Sequence, residues 1–261
     1  MKIYDASSIR NVAIVGHSGS GKTQLVSAML FDAKMVNRLG MVDEGTTTTD
    51  FDDEEIARKH TLASSVAFVE WNKTKINLID TPGIGNFMSD TRAALRVADA
   101  AIVVVDAVSG VEVQTEKVWS IAEELGLPCL VVLNLLDRER ASLDRSLESL
   151  HGSLGRTVVP IQTPIGSEKD FSGLVDLVGM KSINFSLDKS GTATNGAVPE
   201  TLNEQATKAR EALVEMVAEL GFDWLLFDCE HGSIDLSNLE MMAIAAKAAG
   251  ITCIARPSSN N

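Results

Sequence analysis

A glycine-rich segment near the N-terminus constrains the fold more than any other part of the sequence. The segment "GHSGSGKT" occupies residues 16–23 and follows the β-branched run "NVAIVG" at 11–16. The apolar residues after it recur at helical spacing: Leu25, Val26, Met29 and Leu30. Strand, glycine turn and helix are the context that the phosphate-binding pattern GxxxxGKT requires. We therefore predict an α/β P-loop fold, a mostly parallel sheet flanked by helices.

The residue types in this loop suit an anionic ligand. Glycines let the backbone close around a phosphate with its amides pointing inward, and the helix N-terminus adds a favourable partial charge. Lys22 is predicted to reach the β and γ phosphates, and the Thr23 hydroxyl to bind Mg²⁺. The alternative is a chance glycine turn before an amphipathic helix. The candidate nucleotide-binding residues here are Gly16, His17, Ser18, Gly19, Ser20, Gly21, Lys22 and Thr23.

A second signal follows about 60 residues later, in "KINLIDTPG" at 75–83. The segment reads as a strand that closes in the pattern DxxG. Asp80 is predicted to meet Mg²⁺ through water, and the Gly83 amide to bond a γ phosphate because no side chain blocks its approach. Alone, this short pattern also fits an ordinary turn at a strand end.

A third signal, "PCLVVLNLLD" at 128–137, indicates which base is bound. It reads as a buried strand with Asn134 and Asp137 at its C-terminal edge. A carboxylate there can accept hydrogen bonds from N1 and N2 of guanine, which adenine does not offer in that arrangement. The pattern favours GTP over ATP. The alternative is that Asn134 caps the strand and Asp137 starts the next helix.

Composition limits the partners and the compartment. The net charge of −13 should repel bare nucleic acid and anionic membranes, so we expect no nucleic-acid patch and no membrane association. The longest apolar runs, such as 100–105, are far shorter than the roughly 20 residues of a membrane span, and we recognise no signal peptide. The three cysteines are widely spaced beside apolar runs, which favours reduced thiols in a cytoplasmic protein.

These motifs, in this order, resemble the GTPase domain of elongation factor G over about residues 9–218. The resemblance includes the long segments "NRLGMVDEGTTTTDFDDEE", "LRVADAAIVVVDAVSGVEVQTEKVW", "DRERA" and "PIQTPIGSEKDFSGLVDLV". It implies that Thr61 in "RKHTL" is the threonine of the first switch region, closing on Mg²⁺ and the γ phosphate. Lys22, Thr61 and Gly83 are then the candidate catalytic residues, and Thr23, Thr61 and Asp80 the magnesium site. GTP, GDP and Mg²⁺ are the implied ligands.

The resemblance also implies a domain organisation. Residues 1–162 are predicted to form the GTPase core, 163–218 a subdomain that this family inserts, and 219–261 a separate fragment. The segment "DKSGTATNGAVPE" at 188–200 reads as a flexible linker inside the inserted subdomain. The ribosome is an implied partner, but we expect that the family's later domains do not fit in the remaining chain.

Three departures from the family pattern bear on activity. The histidine that often follows the DxxG glycine and helps to place the attacking water is Ile84 here, which predicts slow intrinsic hydrolysis or a group supplied by a partner. The usual lysine over the guanine ring is Leu135, which can still pack there. The final strand of the family's sheet, with its Ser-Ala loop, has no recognisable counterpart after Glu219.

The last segment reads instead as a βαβ unit, with strands at 223–228 and 251–255 and a helix at about 236–249. Over about 40 residues it resembles an early part of the HpcH/HpaI family of metal-dependent 2-oxo acid aldolases. That resemblance implies an acid–base pair of Asp228 and His231, and Arg256 as the group that steadies a substrate carboxylate.

The function of this tail stays open at the level of sequence. A (β/α)₈ barrel needs about 250 residues, so the tail reads as an incomplete piece of one. In the simpler interpretation, Asp228 and Glu230 are solvated carboxylates and His231 is a loop residue. The second strand is alternatively a substitute for the missing final strand of the GTPase sheet, or the chain is a fusion of two gene fragments. A non-catalytic nucleotide-binding module is a further possibility beside the GTPase and the lyase.

Overall fold

The computed structural model describes residues 3–155, 158–186, 192–219, 224–228 and 252–256. The chain divides into two compact units, Met1–Gly155 and Arg156–Asn261. Within the described residues, no helix has the length and apolar character needed to cross a membrane.

The first unit is a five-stranded sheet flanked by helices, in the strand order β2-β3-β1-β4-β5. Strand β1 pairs in parallel with β3 and β4, β4 pairs in parallel with β5, and β2 is antiparallel to β3. The strands are Ile9–Val15 (β1), Ser65–Trp71 (β2), Thr74–Asp80 (β3), Ala100–Asp106 (β4) and Cys129–Asn134 (β5). The helices are Lys22–Asp32 (α1), Asp53–Arg58 (α2), Met88–Val97 (α3), Val113–Glu124 (α4) and Leu143–Leu154 (α5). The predicted fold class, a mostly parallel sheet flanked by helices, is confirmed.

Apolar runs in the sequence become the central strands because both faces of this sheet are covered. Ile14 of β1, Leu78 of β3 and Val104 of β4 are fully buried in one cluster. Helix α1 closes that cluster with Val26 and Leu30, two of the four residues whose spacing predicts the helix. The other two predicted positions, Leu25 and Met29, are half-buried and pack against the same cluster.

The sheet topology determines where a ligand can bind. Strands β1, β3, β4 and β5 are parallel, so their carboxyl ends meet at one edge of the sheet. That edge carries the loop after β1, Asp80 at the end of β3, Asp106 at the end of β4 and Asn134 at the end of β5.

The second unit contains an antiparallel sheet, in the strand order β6-β7-β8-β9, and one long helix. These elements are Gln162–Ile165 (β6), Gly173–Asp176 (β7), Lys181–Phe185 (β8), Ala193–Ala197 (β9) and Glu200–Glu219 (α6). Val175 and Leu177 pack with Ala206 and Leu213 of α6 in a core of their own. This is the region predicted as the inserted subdomain, and its boundaries at 163 and 218 stay predictions.

One local prediction in this unit is wrong. The segment 188–200 was expected to be a linker, yet β9 occupies Ala193–Ala197 and α6 begins at Glu200. Strand β9 is an exposed edge strand held by its main-chain pairing with β8, so its sequence "ATNGA" shows no apolar alternation. Residues 187–191 lie outside the described part.

At the C-terminal end, β10 (Trp224–Asp228) and β11 (Thr252–Arg256) pair in parallel, with Asp228 opposite Arg256. The two predicted strands are therefore present, each shifted by about one residue. The predicted helix at about 236–249 and His231 lie outside the described residues. In the described part of the chain, β11 pairs with β10 in a two-stranded sheet.

Candidate nucleotide-binding site

The loop between β1 and α1 has the backbone that its glycines predict. Gly16 and Gly21 adopt φ angles of 141° and 90°, which residues with a side chain rarely adopt. A Cβ atom at Gly16 would also overlap the Val104 carbonyl, and one at Gly21 would overlap the Asn134 side-chain amide. The loop can follow this path only with glycine at both positions.

Lys22 lies inside this loop instead of extending into solvent. Its side chain is buried, and Nζ donates a 2.8 Å hydrogen bond to the His17 carbonyl. Burial lowers the pKa of Lys22 from 10.5 to about 8, although the charges of Asp80 and Asp50 oppose that shift. The amine is therefore still mainly protonated at neutral pH. The negative charge of bound phosphates would stabilise this buried positive charge.

Beside Lys22, three threonines and two aspartates form a buried hydroxyl–carboxylate cluster. The Thr23 and Thr61 hydroxyls are 2.9 Å apart, and the Thr61 hydroxyl donates to Oδ1 of Asp50 at 2.8 Å. The Thr49 hydroxyl donates to Oδ2 of Asp80, also at 2.8 Å. The structure therefore brings together Thr23, Thr61 and Asp80, the three predicted magnesium residues.

Asp80 is the least solvated member of this cluster. It is fully buried, and its Oδ1 atom has no hydrogen-bond partner. Burial raises its pKa to about 6, against the effects of the Thr49 and Thr23 hydroxyls and the Lys22 charge. Burial also raises the pKa of Asp50. A carboxylate oxygen left unsatisfied in a buried site is the atom that a bound cation would compensate.

Gly83 closes the other side of the loop. A Cβ atom at this position would overlap Nζ of Lys22 and would lie 2.7 Å from the Ser18 amide nitrogen. The main chain of the DxxG segment is therefore in direct contact with the phosphate-binding loop. The next residue, Ile84, lines the same cleft as Lys22 and Gly83.

His17 contributes to the loop through its main chain. Its carbonyl accepts hydrogen bonds from Lys22 and from the Ser20 hydroxyl, at 2.8 and 3.0 Å. Its imidazole is buried away from the cleft, with Nδ1 2.9 Å from the Thr115 hydroxyl and Nε2 3.8 Å from Glu112. Burial lowers the pKa of His17.

The predicted base-binding residues lie at the end of β5. The Asn134 side-chain amide donates a 2.9 Å hydrogen bond to the Ser20 carbonyl and so ties this strand end to the phosphate-binding loop. Asp137 is exposed, and Leu135 adopts a left-handed φ of 63° and lines the cleft. Helix α5 begins only at Leu143, capped by Ser142. The alternative in which Asp137 starts that helix is therefore wrong.

Glu55, a residue that no sequence motif indicated, anchors the segment around Thr61. The buried Glu55 carboxylate accepts hydrogen bonds from the amides of Leu62 and Ala63, at 2.8 and 3.2 Å, and completes a capping box with Asp52. The spacing of Asp52 and Glu55 in "DFDDEE" is the signal that predicts this cap. The cap fixes the backbone on which Thr61 lies.

Part of this site opens into a cleft of about 360 Å³, lined among others by Lys22, Thr23, Thr61 and Gly83. The cleft is also lined by residues that the sequence motifs did not single out: Gln24, Met41, Val42, Asp43, Asp50, Lys59, His60 and Arg138. On one wall of the cleft, Asp50 is buried, whereas the neighbouring Phe51 is 73% exposed.

The family described as the elongation factor Tu GTP-binding domain matches residues 7–249. The chain belongs to this family. The match runs past Glu219, into the segment where the sequence predicts an aldolase-like fragment. Membership of this family confirms the prediction of a GTP-binding domain that resembles the GTPase domain of elongation factor G. These comparisons do not support the aldolase resemblance.

Individual proteins that are similar to this chain support the same family assignment. The chain is 39% identical over 219 residues to elongation factor G of Thermotoga petrophila and to that of Thermotoga neapolitana. Each match covers 84% of this chain and 32% of the relative, so the chain spans about a third of their length. A crystal structure of a protein from Thermus thermophilus is also similar, with a TM-score of 0.75 and 32% identity, covering 96% of this chain and 38% of that one.

The raised pKa of Asp80 predicts a pH-dependent difference in stability between the wild type and Asp80→Asn. Between pH 4 and 7, folded Asp80 holds its proton more tightly than unfolded Asp80, so its ionisation opposes folding. As the pH rises from about 4 to just above 6, the wild type should lose up to about 3 kcal/mol of stability relative to Asp80→Asn. Urea unfolding of both nucleotide-free proteins at several pH values measures this difference. A difference that stays constant with pH would contradict the prediction.

Proposed function

We propose that this chain binds GTP with Mg²⁺ and hydrolyses it slowly. The observation that carries the proposal is the convergence of Lys22, Thr23, Thr61, Asp80 and Gly83 at one edge of the sheet. Three separate chain segments contribute these residues. Two were predicted from the GxxxxGKT and DxxG patterns, and Thr61 from the resemblance to elongation factor G.

The phosphates would bind in the loop after β1. Main-chain amides of residues 17–23 and the N-terminus of α1 supply the donors that an anion needs. On binding, Lys22 would exchange the His17 carbonyl for phosphate oxygens, which are stronger acceptors for a cation. Gly83 lies close enough to the loop for its amide to reach the last phosphate.

The residues around Asp80 fit a magnesium ion. Mg²⁺ prefers oxygen ligands and is usually held by one or two carboxylates together with substrate phosphates. The Thr23 and Thr61 hydroxyls and the unpartnered Asp80 Oδ1 atom provide such oxygens. In the described residues, no cluster of three or more His, Cys, Asp or Glu offers an all-protein metal site. When bound, the ion would neutralise charge that develops on the phosphates.

Hydrolysis would be slow because of Ile84. This side chain lines the cleft beside Gly83 but has no atom that can hydrogen-bond a water molecule. The same observation favours a second candidate function, a non-catalytic module that reports GTP binding without turnover.

Guanine would be selected at the end of β5 by the Asp137 carboxylate. Asn134 holds this strand end against the phosphate-binding loop through its hydrogen bond to the Ser20 carbonyl. Leu135 would pack against the base in place of the usual lysine. The similarity to elongation factor G suggests a cytoplasmic protein that works with the ribosome. The roles of Asp228, His231 and Arg256 in an aldolase-like reaction stay a prediction that nothing in the described residues supports.

A titration with fluorescent GTP and ATP analogues in Mg²⁺ tests this proposal. We expect saturable binding of the GTP analogue and at least tenfold weaker binding of the ATP analogue, by roughly 1.4 kcal/mol. Removing Mg²⁺ with a chelator should weaken binding of the GTP analogue. Equal affinity for both analogues would overturn guanine selection, and the absence of binding by a folded protein would overturn the whole proposal.

A further inference from the structure

The cleft needs a group that can hold a water molecule beside the last phosphate, and the residue after Gly83 is not that group. Ile84 neither donates nor accepts a hydrogen bond. The ionisable side chains among the described cleft residues are Lys22, Asp43, Asp50, Lys59, His60 and Arg138. The side chain that orients this water must be able both to donate and to accept a hydrogen bond, with at least one such atom not committed to another contact.

Most of these side chains already have partners. Asp43 and Lys59 form an ion pair of 2.9 Å with each other. Asp50 accepts from the Thr61 hydroxyl, and Arg138 lies 3.5 Å from Asp106. Lys22 belongs to the phosphate-binding loop. His60 remains as the side chain that can both donate and accept.

The position of His60 relative to Gly83 is defined through Ser18. The Nδ1 atom of His60 is 3.5 Å from the Ser18 hydroxyl, at the outer limit of a hydrogen bond. A Cβ atom at Gly83 would lie 2.7 Å from the Ser18 amide nitrogen, so the main chains of Gly83 and Ser18 approach each other closely. The exposed imidazole of His60 therefore lies at the side of the loop where Gly83 meets it.

The backbone around His60 is anchored on both sides. Its own amide donates to the Glu55 carbonyl at 3.2 Å, and the amide of Leu62 donates to the Glu55 carboxylate at 2.8 Å. Thr61, between them, is bonded to Asp50 and Thr23. Such anchoring lowers the entropy lost when a side chain holds a reactant in place.

We propose that His60 holds the water molecule that attacks the γ phosphate, in place of the histidine missing at position 84. This inference rests on the proposed GTPase function. In the reaction, the water oxygen forms a bond to the γ phosphorus, and the bond to the oxygen bridging the β and γ phosphates breaks. GDP, phosphate and one proton leave, and the imidazole is unchanged. His60 acts by orienting the water through a hydrogen bond.

Single-turnover hydrolysis of bound GTP by His60 variants tests this role. His60→Ala should lower the rate by about 10- to 100-fold, while the affinity for a non-hydrolysable GTP analogue changes by less than about twofold. His60→Gln, which keeps a hydrogen-bonding group, should retain more activity than His60→Ala. The double variant His60→Ala with Ile84→His should recover part of the rate. His151→Ala, a change at an exposed histidine of α5, is the matched control.

A spectroscopic measurement gives a readout that is independent of turnover. The chain has four histidines, so the His60 imidazole signals can be assigned by their loss in His60→Gln. We expect these signals to shift with the GTP analogue in Mg²⁺ and to move less with GDP. An unchanged hydrolysis rate in His60→Ala would overturn this inference alone, and so would a parallel loss of analogue affinity. Wild-type protein that binds GTP without turnover would overturn both this inference and the hydrolysis part of the proposed function, and protein that binds no GTP would overturn the proposed function as a whole.

Discussion

Replacing Lys22 with alanine is expected to weaken GTP binding by about 100-fold or more, which is the loss typical of removing one partner of a buried charge pair. Lys22 is a buried cation whose pKa is lowered to about 8 by burial, so its charge is poorly compensated in the ligand-free protein. Phosphate oxygens would supply that compensation. The same reasoning predicts weaker binding above pH 8, where the free protein loses this charge. Titration of both proteins with a fluorescent GTP analogue measures the effect.

A matched control separates this local effect from a general change in charge. Lys117 is an exposed lysine on α4, and Lys117→Ala removes the same charge without touching the cleft. It should bind the analogue like the wild type. Circular dichroism should show that Lys22→Ala is folded. Equal affinity of a folded Lys22→Ala and the wild type would show that the phosphates do not bind in this loop.

Replacing Gly83 with alanine is expected to lower the rate of GTP hydrolysis by about 100-fold, because a small displacement in a reactive site has effects of that size. The added methyl group would overlap Lys22 and come within 2.7 and 2.8 Å of main-chain atoms of Ser18 and His17. The lysine can move, but hydrogen bonds at the His17 and Ser20 carbonyls hold the main chain of the loop, so we expect the DxxG segment to shift away from the last phosphate instead. Gly83→Ala should therefore bind GDP normally and bind a GTP analogue more weakly than the wild type does.

Gly152 provides the matched substitution for this experiment. It lies in α5, and a Cβ atom there would meet nothing within 4 Å. Gly152→Ala should keep full nucleotide affinity and should stabilise the helix by up to about 1 kcal/mol. Equal loss of GDP and GTP affinity in Gly83→Ala would contradict the predicted contact with the last phosphate.

The sequence predicts those parts of the site that depend on short-range patterns. The loop at 16–23 lies between a strand and a helix, so its conformation follows from glycine, helix spacing and a buried strand. The DxxG segment and Asn134 follow from strand ends, and parallel strands bring such ends together. Lys22, Thr23 and Asp80 lie close together in the structure for this reason, and their roles in binding stay predictions.

Side-chain partners inside the segment before Thr61 were not predictable in the same way. Four consecutive threonines precede Asp50, and nothing in their spacing shows that Thr49 bonds Asp80 at 2.8 Å. The contact of Asp50 with Thr61 likewise depends on how an irregular segment folds back on α1. Strand β9 was missed for a different reason, because main-chain pairing and not side-chain burial defines it.

Asp50 and Phe51 are adjacent residues in opposite environments, one buried and one exposed. The Asp50 carboxylate accepts a hydrogen bond from Thr61 within the cleft, whereas the Phe51 ring is in contact with solvent. Because one peptide bond joins Asp50 and Phe51, a displacement of the Asp50 backbone would also displace the exposed Phe51 ring.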